Sequence, residues 1–158
     1  MPLIQRTTFI AAPVDRLFDL SRSVSLIKQA LLANNIHISG QKTTGLLGEG
    51  EPVTLQSKLF FKKRDLKIHL SKIVRPDMYI EEQVEGFFKS YKHEHYFKPC
   101  ENGSFLIDQI SYETKNGIAG VVADKLAYKN YVLKLLEIKN SSIKQAAESG
   151  RWKQYINV

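Results

Sequence analysis

The chain has 158 residues, 43% of them apolar and 25% charged, the composition of one globular domain and not of a disordered or collagen-like chain. Its 23 Lys and Arg against 16 Asp and Glu leave a net charge of +7, spread along the chain rather than gathered in a basic arm, which favours solubility and, weakly, anionic partners. The single cysteine excludes an internal disulfide. At this length a core burying roughly 70% of the unfolded surface forms without one.

The first segment, residues 3–10 (LIQRTTFI), is β-prone. Pro13 then suits the first position of a helix, where its missing N–H costs nothing, and Val14, Leu17, Phe18 and Ser21 share one side. A second short helix is expected over residues 25–32, ending at Asn34-Asn35, where asparagine tolerates a left-handed cap. From Ile36 to Thr114 apolar and polar residues alternate between turn signals. Strands are read at 36–42, at 53–61 with Val53, Leu55, Leu59 and Phe61 on one face, at 66–71 with even positions inward, and at 76–84, 88–97 and 105–114. With the opening segment they number seven.

Residues 118–148, from Ile118 to Glu148, contain no proline and carry Val122, Leu126, Leu133, Leu136, Ile143 and Ala147 at helical steps. One helix of about 43 Å is expected, long enough to cross a sheet. Lys125, Lys129, Lys134, Lys139 and Lys144 read as its solvated face rather than a nucleic-acid surface. Asn130 and Asn140 interrupt the stripe, each either a surface residue, the favoured reading, or a polar contact inside the cavity; the tail after Gly150 is expected to be loosely held.

No run approaches the roughly 20 apolar residues of a membrane span. The opening Met1-Pro2-Leu3-Ile4-Gln5-Arg6 lacks the basic-then-apolar layout of a secretion signal, so a cytoplasmic location is expected. There is no cysteine pair with zinc spacing, no phosphate-cradling glycine loop and no nucleophile elbow. No cofactor is expected, and function is to be sought in a cavity.

Strand, two short helices, six strands and one long helix: this α+β order resembles the helix-grip fold of the SRPBCC superfamily, in which a seven-stranded curved antiparallel sheet wraps a long C-terminal helix. Residues 8–20 (TFIAAPVDRLFDL), 43–51 (TTGLLGEGE), Gly86-Phe87-Phe88 and His93-Glu94-His95-Tyr96-Phe97 are similar to bacterial ligand-binding members of that group, which also contains START domains, major pollen allergens and polyketide cyclases. The resemblance covers a single domain, residues 1–148, followed by a short tail. It implies a cavity between sheet and helix for a small or medium apolar ligand, and it leaves the ligand open. A sheet of seven strands is wider than one helix of about 10 Å can fill, which argues for the same gap on physical grounds.

Parity decides which side chains face that gap. On the sixth strand Tyr91, His93, His95 and Phe97 are assigned inward, and on the seventh Leu106, Asp108, Ile110 and Tyr112. Asn102-Gly103 is the strongest short hairpin signal; as the central pair it sets Glu101 opposite Ser104 and makes His95 and Asp108 diagonal neighbours. The fifth strand is ambiguous. Hydrophobicity turns Ile80 and Val84 inward, whereas matching Glu85-Gly86 to the pollen-allergen group turns Tyr79, Glu81 and Gln83 inward; the second is preferred, and a buried Glu81 then needs a partner such as His95.

His93, His95 and Asp108 have three readings. They are satisfied wall residues, the favoured reading; or they orient a ligand or act as acid–base catalysts; or the two histidines hold a metal, which needs at least one further ligand. The expected ligand wall is Leu55, Leu59, Gln83, Tyr91, His93, His95, Phe97, Asp108, Ile110, Tyr112, Leu126 and Leu133. Leu46 and Leu47, between Gly45 and Gly50, form either a lid at the cavity rim or an ordinary turn. The resulting expectation is a monomeric or homodimeric binding module for a small hydrophobic ligand, with no nucleic acid, no stable membrane insertion and no metal. An enzyme of cyclase, dehydratase or hydrolase type and a protein-interaction module are the rivals.

Overall fold

The alternation between residues 36 and 114 becomes one antiparallel sheet in the computed structural model, which describes residues 2–115 and 121–156, with side chains in the last helix from Lys125 onward. Ile118 and the side chain of Val122 lie outside the described residues, as does Val158. The elements are β1 (Leu3–Ile10), α1 (Val14–Ser21), α2 (Val24–Leu32), β2 (His37–Gly40), β3 (Pro52–Leu59), β4 (Lys62–Val74), β5 (Met78–Gly86), β6 (Phe88–Cys100), β7 (Gly103–Thr114), α3 (Val121–Ala147), a single 3-10 turn (Gly150–Trp152) and α4 (Lys153–Ile156). Neighbours in the sheet run β1-β7-β6-β5-β4-β3-β2.

Three side chains of α3 show how the sheet surrounds it. Tyr131 meets Ser57 of β3 (2.9 Å), Lys139 meets Glu81 of β5 (2.7 Å) and Asn140 meets Asp108 of β7 (2.6 Å). One helix reaches three well-separated strands only if the sheet bends around it. Register shifts in β4 between Lys67 and Ile68 and between Leu70 and Lys72 supply local bends. The far end is closed by α1 and α2, where Phe18 packs edge-on against Phe97 and Tyr79, with centroids 5.1 and 5.9 Å apart.

Several expectations are corrected. The buried stripe of α3 is Tyr128, Tyr131, Val132, Leu135, Leu136, Lys139, Asn140, Ile143, Ala146 and Ala147. It therefore passes Leu126, which is 59% exposed, and turns Lys139 and Asn140 inward, because carboxylates on the sheet await them; Asn130 is exposed as expected. Strand β3 stops at Leu59, and Phe60 and Phe61 form the turn at φ 53° and 60°. Phe61 consequently points to solvent. The tail is not loose: Tyr155 is buried and its hydroxyl donates to Gln29 Oε1 at 2.7 Å.

The β6–β7 hairpin is shifted from the expected register by two residues. Cys100 pairs with Gly103, so Glu101 and Asn102 are central and Asn102 takes the positive φ of 65°. Gly103 is needed for another reason, since a Cβ there would stand 2.4 Å from the Ile10 carbonyl oxygen. A two-residue shift preserves side-chain parity. It sets His95 directly opposite Asp108 instead of diagonal to it.

Candidate functional site

The inward positions of β5, β6 and β7 and one turn of α3 carry six polar side chains to one place. Glu81, His93, His95, Asp108, Lys139 and Asn140 are all buried, where each charge requires a partner. Asp108 is the hub. Its Oδ1 accepts from His93 Nε2 at 2.8 Å and lies 3.0 Å from His95 Nδ1, while its Oδ2 accepts from Asn140 Nδ2 at 2.6 Å. Glu81 is the second anion: Oε1 accepts from Lys139 Nζ at 2.7 Å and lies 3.5 Å from His95 Nε2, and Oε2 lies 3.7 Å from His93 Nδ1. The His95 ring stacks on Tyr79 with centroids 4.2 Å apart, and the two imidazoles are 3.6 Å apart.

The protonation pattern follows from this geometry. Burial disfavours charge on either imidazole, but Glu81 and Asp108 outweigh it at His95 and raise its pKa, so the charged form is favoured between the two carboxylates. Burial and the charged His95 beside it lower His93 to about 4 against the opposing pull of Asp108. His93 is thus neutral at pH 7 and donates through Nε2. Burial pushes both carboxyl groups up, but Lys139 and the histidines hold Glu81, and the two histidines hold Asp108, well below the ordinary carboxylate range. Lys139 and His95 thus face the two carboxylates.

Glu81, His93 and His95 also offer donor atoms within 4.8 Å of one another, a spacing that a divalent cation can use. Lys139 already places a cation on Glu81, so the cluster closes electrostatically without a metal.

No family model and no curated protein sequence matches the chain. Solved structures do. TTHA0849 from Thermus thermophilus is 21% identical, with a TM-score of 0.72 over 94% of this chain and 100% of that one. A START superfamily protein from Mycobacterium smegmatis is 12% identical, with a TM-score of 0.64 over 92% of this chain and 97% of that one. The di-domain ARO/CYC StfQ from the steffimycin biosynthetic pathway is 13% identical, with a TM-score of 0.71 over 92% of this chain and 50% of that one. The fold is of the SRPBCC type. At these identities the likeness concerns architecture alone.

Within this SRPBCC-type frame the space between sheet and helix is, among the described residues, largely filled. One interior space of about 40 Å³ lies under α2, lined by Leu31, Leu47, Leu55, Ile68 and Leu70 and ending at Glu81 and Lys139. A second, of about 10 Å³, touches Tyr91, His93, Ile110, Leu136 and Lys139. Each is of water size, not of lipid size. The expectation that both imidazoles face inward holds, but they face their own ion partners and not a ligand-sized hollow. A wide cleft of about 680 Å³ opens instead at the β3–β4 end, between Lys63, Arg64, Lys67, Glu85, Phe87, Lys115 and Tyr128.

Of the expected wall, Leu55, Tyr91, His93 and Ile110 gather around the small spaces. Tyr112 is buried against Phe88, with centroids 5.2 Å apart. Leu59 and Leu133 are half-buried, and Gln83 donates from Nε2 to the Phe88 carbonyl at 3.0 Å. Phe97 belongs to the α1 core and Leu126 to the surface. Tyr79 and Glu81 do face inward, as the preferred reading of the fifth strand required. Leu47 is held by its N–H to the Arg22 carbonyl at 2.9 Å and by Arg22 on its own carbonyl at 3.0 Å, an anchored turn rather than a lid. Among the described residues no helix is long and apolar enough to cross a membrane.

Proposed function

We propose that the protein binds a small amphiphile with an apolar or aromatic body and an anionic group. The supporting observation is the wide cleft: its floor is Phe87 and Tyr128, and Lys63, Arg64, Lys67 and Lys115 outnumber Asp65 and Glu85 among its charged lining residues. Behind that floor, Phe87 contacts Phe88, Tyr128 and Tyr131, and Phe88 contacts Tyr91 and Tyr112. A ligand ring entering there exchanges one aromatic contact for another, so withdrawal of Tyr128 costs little packing. Apolar area removed from water, at about 25 cal/mol per Å², supplies affinity, and the lysine rim supplies orientation.

The fluorescent probe 1-anilinonaphthalene-8-sulfonate, an aromatic anion, tests this reading. Saturable binding weakened about tenfold by Lys115→Glu and altered by Tyr128→Ala supports it; binding indifferent to both substitutions ends it. Native mass spectrometry of the purified protein reads out any carried ligand directly.

A second reading has its own support. The 10 Å³ space touches both Tyr91 of the aromatic cluster and the His93–Lys139 side of the polar cluster, so a carbonyl compound advancing past Tyr91 would reach an acid–base pair, as cyclase, dehydratase or hydrolase chemistry requires. Loss of turnover on replacing His93 and His95, with probe binding retained, would favour it.

A further inference from the structure

The tip of the β3–β4 hairpin runs counter to folding. A two-residue turn with positive φ at both central positions favours Asn-Gly, because a Cβ clashes in the left-handed region. Here the pair is Phe60 at φ 53° and Phe61 at 60°. Phe60 recovers some of that loss by packing edge-on against Tyr128, with centroids 5.3 Å apart. Phe61 recovers none, being 94% exposed. Beside it Lys58 pairs across the hairpin with Lys63, a like-charge pair that destabilises a sheet, and Leu59 pairs with Lys62. Asp65, the one acidic residue of β3 and β4, accepts from Gln56 Nε2 at 3.0 Å.

We propose that this tip docks the protein on the surface of an anionic lipid bilayer. Phe61 enters the headgroup boundary, while Lys58, Lys62 and Lys63 beside it lie against the lipid phosphates. An apolar point with a cationic collar suits that surface on both counts: the aromatic ring partitions into the interface, and the basic side chains gain from the negative surface potential. A single-stranded nucleic acid would use the lysines and stack one base on the ring, but such strands are held by several rings along a groove, and the tip presents Phe61 alone. The inference does not rest on the ligand reading, since Phe61, Lys58 and Lys62 are not part of the cleft.

The test is co-flotation of the full chain with vesicles of phosphatidylcholine alone or with 30 mol% phosphatidylglycerol, a proportion of about one anionic lipid in three. The expected result is binding to the anionic vesicles only, reduced about tenfold by Phe61→Ser and by Lys58→Glu/Lys62→Glu, and falling as salt rises. In Phe61→Trp the tryptophan emission shifts to the blue on adding anionic vesicles. Phe61→Gly controls for folding: it should raise the melting temperature by about 2–4 °C while losing vesicle binding. Three results would overturn the proposal: no binding of the wild type to anionic vesicles, binding unchanged in Phe61→Ser, or preference for a single-stranded oligonucleotide over vesicles. Self-association that Phe61→Ser abolishes, without vesicle binding, would assign the tip to a second copy of the chain and overturn it equally.

Discussion

Lys139 Nζ stands 2.7 Å from Glu81 Oε1 with both side chains less than one-tenth exposed, so the longest helix and the middle strand of the sheet are joined by an ion pair sheltered from water. Removing one partner leaves the other charge buried. Lys139→Met is expected to destabilise the protein by about 3–5 kcal/mol, whereas Glu81→Gln combined with Lys139→Met costs distinctly less than the two single changes together. Urea unfolding of the wild type and three variants measures the coupling, and simple additivity would show that the pair is not an energetic unit.

The two histidines pull the pH dependence in opposite directions. His93 titrates near 4 in the fold against an ordinary value of about 6.5, so between those limits the unfolded chain binds more protons and stability falls as pH drops. His95 is raised, so its contribution is complete below the ordinary histidine value and is lost as pH climbs through the folded one. Glu81 and Asp108, both depressed, contribute above the carboxylate range and lose that contribution in acid. Thermal melts across pH are expected to show a maximum near neutrality. His95→Gln should flatten the alkaline decline and His93→Gln the decline between about pH 6.5 and 4; an alkaline decline that survives His95→Gln contradicts the assignment of the imidazolium.

Gly103→Ala places a methyl group 2.4 Å from the Ile10 carbonyl oxygen and 2.9 Å from the Phe9 ring, where β1 meets β7. The backbones must part, at an expected cost of about 2–4 kcal/mol by denaturant unfolding. Asn102→Gly, at φ 65° in the adjoining turn, should leave stability unchanged or slightly raise it.

Tyr155 tests the docking of the C-terminal segment. Its ring is 3% exposed, its hydroxyl donates to Gln29, and its carbonyl accepts from Ser23 Oγ at 3.3 Å. Tyr155→Ala is expected to cost about 3–5 kcal/mol and Tyr155→Phe about 1 kcal/mol. A silent Tyr155→Ala would return the tail to the loose state that composition alone implied.

Where the sequence was legible, one period decided the outcome. Alternation in 66–71 and 105–114 assigned Leu66, Ile68, Leu70, Leu106, Asp108 and Ile110 to the interior, and all are buried. The hairpin was misplaced because Asn102-Gly103 satisfies two demands at adjacent positions, a positive φ at Asn102 and a close approach at Gly103, and a local turn rule sees only the first. Lys139 and Asn140 were missed because their reason for burial lies on β5 and β7, more than 30 residues away in the chain. A polar residue inside an apolar stripe is the available signal, and it points inward only once a buried acid opposite is known. The filled interior was likewise invisible: the width of a sheet relative to a helix does not reveal how far tyrosines and ion pairs occupy the gap.

The placement of β1 beside β7 carries a consequence for synthesis. Leu3 finds its partner at Ser111 and Ile10 at Ser104, so β1 waits for the hairpin made last among these seven strands, and that hairpin's Asp108 waits in turn for Asn140. Closing so many distant pairings makes for slow assembly, with an unpaired amino-terminal edge presented to the cell meanwhile. A nascent chain halted before α3 would hold Glu81 and Asp108 without two of their partners, so commitment to the native state waits for α3.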